Sequence, residues 1–108
     1  MKKYYNLILM SLFCTSVFSQ VEAYHFNASW NNANGVEWFG KISDANKKLM
    51  SIDDASVQKK YGIAIVPTII IFDEGEEVKR FQADLSFKMA ATREDVQDYI
   101  DELIINKF

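Results

Sequence analysis

The densest apolar stretch of the chain lies just past its middle. From Ile63 to Phe72, six of ten residues are β-branched aliphatics, and neither a charge nor a glycine interrupts them. Such a run requires burial on both faces, which predicts a central strand covered by helices, as in α/β folds. Residues 73–76 then predict a turn, and the alternating residues 78–83 predict the second strand of a hairpin.

Shorter patterns precede this hairpin. Residues 21–29 predict a strand whose alternate side chains face opposite ways, and residues 27–35, rich in Asn and small side chains, predict a loop. A three-residue spacing of apolar positions then favours a short amphipathic helix containing Val36, Phe39 and Ile42. Residues 49–52 predict another short strand.

Two further helices are predicted from their end signals. Ser56 is expected to cap a helix of one or two turns that ends at Gly62. Thr92 and Asp95 have the spacing of a capping box, and they precede an apolar helical face of Val96, Tyr99, Ile100, Leu103 and Ile104. The order of elements is therefore strand, helix, strand, helix, hairpin, helix, which predicts one α/β domain.

The N-terminal residues follow the pattern of a secretory leader. Lys2 and Lys3 precede an apolar run from Leu7 to Phe13, and residues 17–19 match what a signal peptidase accepts. The apolar stretch covers about fifteen residues, fewer than the roughly 20 that a bilayer-spanning helix needs. We therefore expect no stable membrane insertion after cleavage, although an uncleaved anchor and a lipoprotein signal ending at Cys14 remain open alternatives.

This interpretation divides the chain into a signal peptide, residues 1–19, and a mature domain, residues 20–108, that is periplasmic or secreted. Cleavage removes two lysines and moves the formal charge from −3 to −5. An acidic domain repels phosphate backbones, so nucleic acid is not an expected partner. Cys14 is the only cysteine and lies within the leader, so the mature chain has no thiol for a disulfide, a nucleophile or a cysteine-bound metal.

One segment carries a family resemblance. Tyr61-Gly62-Ile63-Ala64-Ile65-Val66-Pro67-Thr68, followed by Phe72 and Gly75, resembles the "YGI-x-x-(I/V)-P-T" and "F-x-x-G" segments of thioredoxins. Upstream, the residues from Phe26 to Trp30 resemble the family's "F-W-A-x-W". The resemblance implies a thioredoxin-like fold, with a mixed sheet of about four strands and helices on both faces.

The departures from that family matter most for function. The family's "W-C-x-x-C" motif is matched by Trp30-Asn31-Asn32-Ala33-Asn34, so Asn31 and Asn34 occupy both cysteine positions. An amide is neither a nucleophile nor a leaving group in disulfide exchange, so no oxidoreductase activity is expected. The two asparagines are interpreted either as helix caps or turn formers, or as contacts for a ligand. His25 replaces the family's buried acid and is expected to be a buried structural residue.

Pro67 is the only proline and interrupts the most strand-prone run. The resemblance implies a cis bond after Val66, with the Val66 amide and carbonyl left free to pair with an extended peptide. The predicted binding groove therefore comprises Trp30, Asn31, Asn34, Val66 and Pro67.

The leading hypothesis is a non-catalytic module that binds a protein or peptide segment, with no catalytic residues, cofactor or metal site. One alternative is a redox-related protein that acts with a partner's cysteines. Another is a structural interaction subunit, or a weak homo-oligomer, that associates through exposed Phe81, Phe87 and Met89. The acidic residues Asp44, Asp53 and Asp54 lack the spacing of a cation-binding loop and are expected to form a solvated rim.

Overall fold

The computed structural model describes residues 21–108. The predicted leader and Cys14 lie outside the described residues. A four-stranded mixed sheet has the order β2-β1-β3-β4, in which β1 is parallel to β2 and antiparallel to β3, and β3 and β4 form an antiparallel hairpin. The elements are β1 Val21–Asn27, β2 Asn46–Ser51, α1 Ala55–Tyr61, β3 Thr68–Asp73, β4 Glu76–Gln82 and α2 Arg93–Ile105.

Two apolar clusters cover the two faces of this sheet. The first contains Val21, Ala23, Ile69 and Ile71 of the sheet with Phe39, Ile42, Val96, Ile100 and Ile104 of the covering segments. The second contains Phe26, Ala28, Ile63, Val66 and Ile70, against which Val57 and Tyr61 of α1 pack. The predicted α/β class with helices on both faces is thus confirmed. Within residues 21–108, no helix has the length and apolar character needed to cross a bilayer.

The two segments between β1 and β2 are 3-10 helices. Ser29–Asn34, predicted to be a loop, forms the first, and Glu37–Lys41 forms the second. A three-residue apolar spacing matches the 3.0 residues per turn of a 3-10 helix more closely than the 3.6 of an α-helix. The predicted amphipathic helix therefore exists, but as a short 3-10 helix and not as an α-helix.

The central strand begins five residues later than its apolar run. β3 starts at Thr68, whereas Ile63 to Pro67 form an irregular segment that leads into it. The Val66–Pro67 peptide bond is cis. Ile63, Val66 and Pro67 are buried nonetheless, which is why this part of the run is apolar without being a strand.

The structure shows which residues cap the ends of the two α-helices. Thr92 and Asp95 form the predicted capping box at the start of α2. Gly62 ends α1 in the left-handed conformation, with a φ of 60°. The predicted cap at Ser56 is wrong, because the Asp54 carboxylate is the cap and accepts a hydrogen bond from the Ser56 amide. An aspartate two residues before that amide reaches it from outside the helix, as N-cap residues do.

Candidate functional site

Three segments converge at the C-terminal end of β1: the first 3-10 helix, the irregular segment before β3, and a loop formed by residues 84–89. Asn31 lies at their centre and is only 3% exposed. Its side-chain nitrogen, Nδ2, lies 3.3 Å from the Val66 carbonyl oxygen, 3.1 Å from the Phe87 carbonyl oxygen and 3.2 Å from Asn27 Oδ1. One buried amide therefore joins all three segments to the end of β1.

Two neighbouring asparagines complete this arrangement, and we call Asn27, Asn31 and Asn34 the asparagine cluster. Asn34 Nδ2 donates to Asn31 Oδ1 at 2.8 Å, and Asn27 Nδ2 donates to the Asn31 carbonyl at 3.2 Å. The interpretation of Asn31 and Asn34 as helix caps is wrong, because the first 3-10 helix has no side-chain cap and begins after Ala28. The two side chains instead hydrogen-bond to each other across the positions that resemble the cysteine pair.

The backbone beside Pro67 is largely satisfied within the chain. The Val66 carbonyl accepts from Asn31, the Ile65 carbonyl accepts from Thr68 Oγ1 at 2.6 Å, and the Pro67 carbonyl accepts from the Ala83 amide at 3.0 Å. The expectation that the Val66 carbonyl is free to pair with an extended peptide is therefore wrong. Three consecutive acceptors already have donors, which reduces what the carbonyls here can offer to an added strand, whereas a free Val66 amide stays a prediction.

An open cavity of about 380 Å³ lies beside this segment, and we call it the aromatic cleft. Trp30 and Phe87 form one side of it, with their ring centroids 5.0 Å apart and their planes at 90°. Trp30 is 65% exposed and Phe87 is 40% exposed, unusually high values for such large apolar side chains. The remaining walls include Ala28, Ile52, Ala64, Ile65 and Val66.

The predicted groove residues separate into two groups. Trp30 and Val66 line the aromatic cleft, whereas Asn31 lies buried beneath it and Pro67 is fully buried. Asn34 lines a different cavity, next to Trp38 and Lys88. Sequence reasoning missed the role of Phe87 as a wall of the cleft, because nothing in the sequence pairs it with Trp30.

Asp53 is the charged residue that lines the aromatic cleft. Its Oδ1 accepts a hydrogen bond from the Ser29 amide at 3.1 Å, and this hydrogen bond holds the pKa of the carboxyl below its ordinary value. The carboxylate is therefore ionised throughout the physiological range. Among the described residues, no group of three His, Cys, Asp or Glu side chains is arranged to hold a metal ion.

His25 lies on the other side of the first 3-10 helix, in β1. It is 7% exposed, and its Nε2 accepts a hydrogen bond from the Val36 amide at 3.4 Å. Burial lowers the pKa of its imidazole, because desolvation disfavours the charged form. The expectation that His25 is buried is confirmed.

The apolar residues predicted for self-association are only partly available. Phe81 and Met89 are half-buried and pack against the first apolar cluster, so the expectation that they are exposed is wrong. Phe81 lies within β4, and Met89 packs inward because the loop after β4 folds back, with an isolated bridge between Ala83 and Met89. Phe87 remains at the surface, in contact with Trp30.

Comparisons with known proteins place the fold. No known protein-family profile matches the chain, and no curated protein is similar to it in sequence. Among solved structures, a reduced thioredoxin pre-protein from Schistosoma mansoni is similar, with 23% identity, a TM-score of 0.63 and coverage of 87% of this chain and 88% of that one. A mutant thioredoxin from Halobacterium salinarum has 22% identity and a TM-score of 0.62 over 81% of this chain and 77% of that one.

The chain therefore has a thioredoxin-like fold and lacks a CxxC motif. At the two positions that resemble the cysteines it has amides, one of them buried and both hydrogen-bonded. These hydrogen-bonded amides are suited to holding the surrounding backbone segments together. They offer no sulfur to a disulfide substrate.

Proposed function

We propose that this chain is an exported, non-catalytic thioredoxin-like domain that binds a protein or peptide segment in the aromatic cleft. The observation that carries the proposal is the exposed Trp30, whose ring is at 90° to that of Phe87 and lines a cavity of mixed apolar and polar character. Tryptophan and other aromatic residues are enriched at protein interfaces, where they bury large areas at a small cost in conformational entropy. An exposed tryptophan beside an unfilled cavity is a suitable anchor for a partner.

The lack of a cysteine thiol beyond Cys14 supports a non-catalytic role. Thiol–disulfide exchange requires a thiolate, and the chain beyond Cys14 contains none. The hydrogen bonds of Asn31 also make it unsuitable as a contact for a substrate, because its side-chain nitrogen already serves three acceptors. We infer that the asparagine cluster shapes the cleft and that Trp30 and Phe87 contact the partner.

Recognition is then based on side chains. The carbonyls of Ile65, Val66 and Pro67 already accept hydrogen bonds, so a bound segment gains little from donating to these carbonyls. An apolar side chain that enters the cleft gains from contact with Trp30, Ile52 and Ile65. Affinity should therefore depend on one inserted side chain more than on the length of an extended segment.

Site-specific photocrosslinking in the exporting cell tests the proposal. A photoreactive phenylalanine analogue is placed at position 30 and, as a control, at position 105, because Trp30 and Ile105 have similar exposures of 65% and 68%. We expect a discrete adduct at position 30 that is absent at position 105 and is lost in the Phe87→Ala background. Adducts of equal yield at both positions, or none at position 30, would contradict the proposal.

The same experiment separates the alternatives. An adduct whose mass is that of two copies of this chain would favour the interaction subunit, and light scattering of the purified domain would then show a dimer. A change in the redox state of the captured partner's own cysteines that requires this chain would favour the redox-related alternative.

A further inference from the structure

We propose that the partner segment presents an aromatic side chain next to a lysine or arginine, and that Asp53 pairs with this cation while the ring enters the aromatic cleft. This inference rests on the proposed function and adds the chemistry of the partner. The juxtaposition that carries it is one ionised carboxylate on the wall of a cavity otherwise lined by apolar and uncharged residues.

The apolar half of the inference follows from the walls of the cleft. Trp30 and Phe87 meet edge to face, and a third ring that enters beside them continues the same type of contact. Ile52, Ile65 and Val66 supply further apolar lining, and Gln58 and Asp53 are its polar side chains. A volume of about 380 Å³ accommodates one large side chain rather than a folded element.

The charged half follows from Asp53. Its Oδ1 accepts a hydrogen bond from the Ser29 amide, and the Asp53 side chain is exposed, so a cation in solvent can reach the carboxylate. The Asp54 carboxylate, next to Asp53 in the chain, caps α1 and adds a second negative charge to this segment. Lys88, the lysine of the 84–89 loop, lines the separate cavity beside Asn34 and Trp38.

The charge of the mature domain acts in the same direction. A formal charge of −5 after loss of the two leader lysines attracts a basic segment and repels an acidic one over several ångströms. Salt screens such attraction with a Debye length of about 10 Å at 0.1 M ionic strength. Binding of a basic partner should therefore weaken as salt is added, mainly through the association rate.

Short capped peptides supply the probe. The sequences Gly-Phe-Lys-Gly, Gly-Phe-Gln-Gly, Gly-Phe-Glu-Gly and Gly-Ala-Lys-Gly separate the ring from the charge. Fluorescence of Trp30 in a Trp38→Phe background reports binding, because Trp38 packs against the first apolar cluster, away from the cleft.

We expect the Lys peptide to bind about threefold more tightly than the Gln peptide at low salt, which is the size of an exposed ion pair. The Glu peptide should bind more weakly than the Gln peptide, and the Ala peptide should show no binding. Asp53→Asn should remove most of the difference between the three Phe peptides, because it removes the paired charge while its amide oxygen can still accept from the Ser29 amide. The matched control Asp98→Asn removes an equal charge from α2, on the wall of a different cavity, and should keep the Lys preference.

The outcomes distinguish the two levels of the proposal. Equal binding of all three Phe peptides, lost in Trp30→Ala, would overturn the cation inference and leave the proposed function in place. A Lys preference that persists in Asp53→Asn would overturn the assignment to Asp53. Failure of every Phe peptide to bind would contradict the proposed function, and with it this inference.

Discussion

Asn31→Asp tests whether the asparagine cluster holds the site together. The substitution keeps the shape of the side chain and replaces its donor nitrogen by an oxygen. In the native structure that nitrogen faces three acceptors: the Val66 carbonyl, the Phe87 carbonyl and Asn27 Oδ1. An ionised carboxylate there donates nothing and places a buried negative charge against three oxygens.

The expected loss can be estimated from these contacts. The two hydrogens of the amide make two net hydrogen bonds, each worth about 0.5–1.5 kcal/mol, and a buried acceptor left without a donor costs about 1–3 kcal/mol more. We therefore expect Asn31→Asp to lower the free energy of unfolding by about 3–5 kcal/mol at pH 7.5. That loss is a large part of the roughly 5–15 kcal/mol that stabilises a typical domain.

The loss of stability in Asn31→Asp should also depend on pH. Burial and the surrounding oxygens raise the pKa of the introduced carboxyl in the folded state above its unfolded value of about 3.9. The folded variant thus holds a proton that the unfolded chain has released, so its stability relative to the parent falls as the pH rises through this window. Near pH 4 the protonated carboxyl donates one hydrogen bond, and part of the loss should be recovered.

Urea unfolding of parent and variant at pH 4 and pH 7.5 measures both effects. The matched control is Asn32→Asp, since Asn32 is the exposed neighbour and the same change there should cost less than about 0.5 kcal/mol. If Asn31→Asp is as stable as Asn32→Asp, or if its deficit is the same at both pH values, the amide does not play the structural part assigned to it.

Three further predictions follow from other parts of the molecule. Because burial lowers the pKa of His25, the unfolded chain takes up a proton at a higher pH than the folded chain. The free energy of unfolding should therefore fall as the pH drops from about 6.5 towards the lowered native pKa, and His25→Gln should remove this dependence in urea titrations. Mass spectrometry of the exported protein should find Gln20 as its first residue, and an intact leader in a membrane fraction would contradict the cleavage. The double variant Asn31→Cys/Asn34→Cys should form an internal disulfide, since the two native side chains are in contact at 2.8 Å, yet reduce an external disulfide slowly because position 31 is 3% exposed. Turnover as fast as that of a thioredoxin would show that the site is more open than the native structure.

The start of β3 and the form of the helix containing Phe39 were the parts of the fold that the sequence predicted least well. The β-branched run correctly indicated a buried central strand, but it gave the wrong start because Ile63 and Val66 are buried without being in the sheet. Hydrophobicity reports burial, and a strand also requires a continuous hydrogen-bonded ladder. The spacing of Val36 and Phe39 likewise indicated a helix, and its three-residue period fits the 3-10 form that the structure has.

The site was less predictable than the fold. The resemblance identified Trp30 and the two asparagines, since these depend on position along the chain. The contact between Trp30 and Phe87 depends instead on how the loop after β4 returns across the molecule, and Phe87 has a φ of 63° that no local pattern indicates for a phenylalanine. The free Val66 carbonyl was an error of the same kind, because its donor Asn31 comes from a distant segment.

The position of β1 has a consequence for how the chain acquires its structure. β1 is the first strand in sequence yet lies in the interior of the sheet, where Val21 pairs with Asp73 and Glu22 with Asn46. Neither neighbour is local, so a nascent chain must be synthesised through β3 before its first strand has both partners. A fragment that ends before Thr68 would retain β1 and β2 as a parallel pair with one face and one edge uncovered. Shortening this protein from its C-terminus should therefore yield unfolded, protease-sensitive chains rather than a smaller stable domain.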